Sequence, residues 1–81
     1  MGSIEKKLAA FMELQGPCSF NEALVICRAL FGEPRIHGSH HVFKTPWSGD
    51  PRINIQNKHG EIPYYQVKQI QQAIRKLQEA L

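Results

Sequence analysis

The stretch Arg35-Ile36-His37-Gly38-Ser39-His40-His41-Val42-Phe43-Lys44-Thr45 decides the fold. Before it, apolar residues recur at helical spacing; from Arg35 the period shortens to that of strands. Arg35–His37 and His40–Thr45 read as two strands, with Gly38-Ser39 as a tight turn between them. A third strand, Arg52-Ile53-Asn54-Ile55-Gln56, follows a longer loop, Pro46-Trp47-Ser48-Gly49-Asp50-Pro51. Strands joined by such short connections pair antiparallel.

Helices flank this sheet on both sides. Upstream, Ile4, Leu8, Phe11 and Met12 follow helical spacing, with Ser3 as an N-cap and Gly16-Pro17 as a stop. A second helix starts at Ser19-Phe20-Asn21-Glu22, a capping box in which hydroxyl and carboxylate each satisfy an orphan backbone N–H. Phe20, Leu24, Cys27, Leu30 and Phe31 form its apolar stripe, and Gly32 and Pro34 end it. Downstream, Asn57-Lys58-His59-Gly60 reads as a turn, and Pro63 suits the first turn of a helix. Tyr64, Val67, Ile70, Ile74, Leu77 and Leu81 then make a continuous stripe, while Lys68, Gln71, Gln72, Arg75, Lys76 and Gln78 face away. The order is α-α-β-β-β-α. The expected fold class is α+β: a three-stranded antiparallel sheet with helices on one face and the other face left to solvent or a partner.

Length and composition set the bounds. The 81 residues suit one small domain, 1–81. A chain of this size buries only about 60–65% of the surface its unfolded form exposes, so the core is thin. Hydrophobic residues make up 42% and charged residues 21%, a globular balance, and the net charge of +3 permits a polyanionic partner without demanding one. No apolar run is long enough to span a membrane. The opening residues lack a secretory leader, and Lys6 stands where a myristoylation pattern needs Ser or Thr. Cys18 and Cys27 are too few for a disulfide framework, which points to a reducing, cytoplasmic setting.

The densest polar constellation is His37-Gly38-Ser39-His40-His41, followed by Val42-Phe43-Lys44. A Gly-Ser-His turn running into a strand, with an aromatic three positions after the His, resembles the HicA-type toxins, small ribonucleases (mRNA interferases) of toxin–antitoxin pairs. The likeness continues through Arg52–Gln56, the Asn57–Gly60 turn and Ile62-Pro63 into the final helix, covering about Phe20 to Leu81. It implies a double-stranded-RNA-binding-domain-like fold for 19–81, with 1–18 as an additional N-terminal helix. It further implies an endoribonuclease that cleaves single-stranded regions of mRNA without metal or other cofactor, and a HicB-type antitoxin that silences it. His40 matches the family's catalytic histidine.

The chemistry fits such a role. Attack of a 2′-hydroxyl on the adjacent phosphate needs a base, an acid and cations to stabilise the developing charge. A histidine titrates near neutral pH and can serve either proton role. If Phe43 points into the core, alternation puts His40, Val42 and Lys44 on the opposite face and turns His41 inward. The second proton-transfer group is open among His41, His37 and His59. Gly38, Ser39, His41, Lys44, Arg35 and Arg52 are the candidate RNA contacts. Gly38 supplies a positive-φ or close-approach backbone, and Ser39 is a turn residue rather than a nucleophile paired with His40. Lys68, Arg75 and Lys76 read as a solvated helix face. Trp47 can either stack on an unpaired base or cover the thin core. The spacing of Cys18 and Cys27 does not suit a zinc site. The other class of function on this fold is a non-catalytic RNA-binding or protein-interaction module.

Overall fold

The computed structural model describes residues 2–47 and 52–79, and for Gly2 and Ser3 the backbone only. The Ser3 cap, the 48–51 part of the loop and the Leu81 end of the last stripe therefore lie outside what is described. The elements run α1 (Gly2–Met12), β1 (Cys18–Ser19), α2 (Phe20–Phe31), β2 (Arg35–His37), β3 (His40–Phe43), β4 (Ile53–Gln56), β5 (Glu61–Ile62) and α3 (Tyr64–Glu79). It is a small α+β protein. β2, β3 and β4 form one antiparallel sheet in that spatial order.

A second sheet, β1 with β5, is absent from the reading of the sequence. Cys18 pairs with Ile62 and Ser19 with Glu61, antiparallel. Two-residue strands carry no alternation to read, and their partners stand far apart in the chain. The pairing follows from the turn beyond β4. Lys58 and Glu61 exchange both backbone hydrogen bonds around His59-Gly60, at 2.9 and 3.0 Å. His59 and Gly60 have φ of 56° and 86°, the two positive values of a type I′ loop. The Asn57 side chain accepts the Gly60 N–H at 2.7 Å and fixes the turn. The Ser19 half of the expected cap is present, its hydroxyl accepting the Glu22 N–H at 3.4 Å.

The helices cover one face of the three-stranded sheet. Phe43, Ile53 and Ile55 point inward and join Phe11, Phe20, Ile26, Ile62, Val67, Ile70 and Ile74 in a single core. Each such side chain contributes about 1.5–3 kcal/mol when fully buried. The buried face of α2 runs through Phe20, Ala23, Ile26 and Cys27; Leu24, Leu30 and Phe31 of the expected stripe are only partly covered. The helix is thus turned so that Ala23 and Ile26 face the centre.

α3 departs from the expected pattern at Gln71, which is buried rather than solvated. Its amide donates to the carbonyls of Phe11 at 2.9 Å and Leu14 at 3.1 Å. The Phe11 carbonyl also accepts the Leu14 N–H at 3.2 Å, so Gln71 adds a second donor there and ties the last turn of α1 and the residues just beyond it to α3. This places Phe11, only 2% exposed, in the common core. Among the described residues no helix is long and apolar enough to cross a membrane.

Candidate functional site

The uncovered face of the sheet collects the polar residues of the central stretch. Directly opposed residues of an antiparallel sheet share a face. One row across the three strands is therefore His37, His40 and Gln56, and the next is Arg35, Val42 and Asn54. Arg35, His37, His40 and Asn54 are exposed, whereas Phe43, Ile53 and Ile55 behind them are buried. The arrangement follows from the turn. Only Gly38 and Ser39 lie between His37 and His40, so these two histidines close the hairpin as cross-strand partners. Cβ atoms in such a pair stand about 4.5–5.5 Å apart.

Gly38 has φ of 59°, and a Cβ added there meets nothing within 4 Å. The turn therefore requires its positive φ and not close approach of another group. Ser39 stands beside it as a turn residue, its hydroxyl accepting from the Gln56 side-chain amide at 3.0 Å. That bond ties the hairpin tip to β4.

His40 has a fixed orientation. Its Nδ1 lies 3.2 Å from Asn54 Oδ1. An amide oxygen only accepts, so Nδ1 carries the hydrogen and Nε2 keeps its lone pair in the neutral ring. The Asn54 contact thus selects the tautomer in which Nε2 can take a proton. His37 is one of the three candidates for the second proton role, whereas Asn54 is not singled out in the sequence. The signal for both is the register, which a two-residue turn fixes.

His41 is not brought to this face. Its ring packs edge-on against Phe20, with centroids 5.0 Å apart and planes at 70°. Its Nδ1 is buried without a hydrogen-bond partner. Alternation from Phe43 accounts for the placement, and it separates His41 from the RNA contacts proposed for the stretch. His59, exposed at its own turn, also stands apart from the His37–His40 row.

The cations gather at the other end of the face. Arg35, Lys44 and Arg52 line a hollow of about 430 Å³ with Val42 and Phe31. Glu33, the acid at its rim, pairs with Arg28 at 3.2 Å. Trp47 stands just beyond, partly buried against the core; Phe31 meets its ring edge-on at 6.4 Å, and Lys76 Nζ lies 4.8 Å from its centroid. Lys76 is therefore more than part of a solvated face. Trp47 covers this end of the core and still contributes to a surface hollow.

The two thiols belong to the interior. Burial pushes Cys18 up to about 11 and Cys27 to about 12, with smaller contributions from Glu22 and Glu61 at Cys18 and from Cys18 at Cys27. Protonated, buried thiols are poor nucleophiles and poor metal ligands. Among the described residues, no three His, Cys, Asp or Glu side chains converge on a point that could hold a metal ion. Comparison with protein-family models, with curated proteins and with solved structures finds no match for the chain.

Proposed function

We propose that the chain is a small endoribonuclease of the HicA toxin type, cleaving single-stranded mRNA by histidine acid–base chemistry without metal. The observation that carries this reading is the His37–His40 row, two solvent-facing imidazoles side by side with one oriented by Asn54. His40 Nε2 takes the proton from a ribose 2′-hydroxyl as its oxygen attacks phosphorus. His37, in its protonated form, gives a proton to the departing 5′-oxygen, so that the P–O5′ bond breaks as the new P–O2′ bond forms. The products are a 2′,3′-cyclic phosphate and a free 5′-hydroxyl. Arg35, Lys44 and Arg52 hold neighbouring phosphates, and Ser39 offers a hydroxyl at the hairpin tip.

The order helix, three antiparallel strands, the two-residue β5 and helix in 20–79 is compatible with the double-stranded-RNA-binding-domain-like fold. The HicA resemblance brings with it a cytoplasmic setting and a HicB-type antitoxin, which would silence the enzyme by covering the open sheet face. A net charge of only +3 favours the second reading, a non-catalytic RNA-binding module on the same face. One assay separates them. Wild type should cleave a single-stranded RNA equally with and without EDTA, and His40→Ala should slow it by about 10²–10⁴-fold. Equal cleavage by the two proteins removes His40 from the mechanism. Saturable binding with no cleavage leaves the binding module.

A further inference from the structure

Trp47 takes no part in the proton chemistry, yet it borders a second hollow, of about 200 Å³, with Thr45, Arg52, Gln69, Gln72 and Lys76. We propose that this hollow is a nucleobase pocket, holding one unpaired base of the bound RNA a few nucleotides from the scissile bond. The inference rests on the ribonucleic-acid reading of the sheet face and adds the element that would give it sequence preference.

Size is the first argument. Pockets for drug-sized ligands run about 300–1,000 Å³, so this smaller one suits a single heteroaromatic ring system. Its lining is the second. An indole supplies a stacking surface, and Gln69 and Gln72, three residues apart on α3, bring two amides to the same side. The Gln69 Nε2 already donates to the Arg52 carbonyl at 3.3 Å, which fixes that amide and leaves its oxygen as an acceptor. An amide with defined donor and acceptor is the group that reads a base edge. Lys76, four residues beyond Gln72, rests its ammonium over the indole. A flexible four-carbon stem lets it give up the ring to an entering base and meet a phosphate instead.

Position is the third argument and selects RNA over other ring ligands. Arg52 lines both this hollow and the Arg35–Lys44 hollow. Arg52 thus joins the cations of the sheet to the indole hollow at the β4–α3 edge. Lys44 lies four residues from His40 along the chain, about 13 Å at strand rise. Thr45, the next residue, lines the indole hollow, so the pocket stands farther than one rung from the histidines.

Trp47 is the single tryptophan of the chain, so its fluorescence reports on this pocket alone. The probe is a short single-stranded 2′-O-methyl oligonucleotide of mixed sequence, which cannot be cleaved, beside the same backbone made abasic. The base-bearing strand should quench Trp47 saturably, and the abasic strand should bind about ten-fold more weakly or worse with little quenching. Gln72→Ala, at an exposed position that leaves the fold intact, should change the preferred base at one position of a cleaved RNA. Equal quenching by the abasic strand, or an unchanged base preference in Gln72→Ala, would overturn the pocket. Quenching without cleavage of ordinary RNA keeps the pocket and removes the ribonuclease reading; cleavage without quenching does the reverse.

Discussion

His40 and His41 are neighbours in the chain and opposites in the fold. His40 stands in water, oriented by Asn54, with His37 across the hairpin; His41 lies against Phe20 under the helices, one nitrogen unpartnered. The residues are chemically identical, so the difference comes from strand alternation and from which face the helices cover. The comparison extends to the whole sheet. Its inner face is Phe43, Ile53 and Ile55, and its outer face is histidine, amide and cation. Inner-face substitutions should therefore cost stability and leave chemistry to the residual folded fraction. Outer-face substitutions should cost chemistry and leave stability within about 0.5 kcal/mol.

The largest expected stability effect is at the inner face. Phe43→Ala should lose about 3–5 kcal/mol in urea denaturation, because a fully buried ring leaves a cavity among isoleucines. His40→Ala on the other face should denature with the wild type. A large loss in both would dissolve the contrast. Next comes the seam that brings α1 into the inner layer. Gln71→Ala takes the amide donor from the Leu14 carbonyl and one of two donors from the Phe11 carbonyl, and should cost about 1–3 kcal/mol, with early amide exchange in α1. Exchange that stays as slow as in wild type would show that α1 is held by other contacts.

A smaller effect of opposite sign is expected at the second turn. His59 adopts φ of 56° at the first position of a type I′ loop, which favours Asn-Gly. His59→Asn should raise stability by about 0.5–1 kcal/mol and leave RNA cleavage unchanged, since His59 is outside the His37–His40 row. A loss of cleavage would bring His59 back as a proton donor. The thiols give the smallest effect at neutral pH. Their folded pKa values lie above the ordinary 9.0, so the stability they contribute is fully present below pH 9.0 and is lost as pH rises towards about 11 to 12. Native protein should also resist alkylation at pH 8 until it is unfolded. Rapid labelling of the folded chain would place a thiol outside the inner layer.

Much of this was legible in the chain. Two-residue punctuation at Gly38-Ser39 and the isoleucine alternation of Arg52–Gln56 fixed the sheet and the outward face of His40. The split between His40 and His41 followed from Phe43 alone. What could not be read depends on non-local contact. The β1–β5 pair joins residues more than forty positions apart in strands of two. Gln71 looks solvated on its own helix and is buried only because α1 ends over it. The Asn54 contact to His40 needs the β3–β4 register as well as the sequence of either strand. Lys76 beside Trp47 likewise depends on where α3 docks.

The central claim is that the His37–His40 row performs the proton transfers of RNA cleavage. Its most direct test is kcat/KM for a single-stranded oligoribonucleotide measured across about pH 5–8, the range in which imidazoles titrate. With one histidine acting as base and another as acid, the profile should be bell-shaped, and His37→Ala should remove its alkaline limb. A flat profile, or the same bell in the His37→Ala protein, would contradict the account.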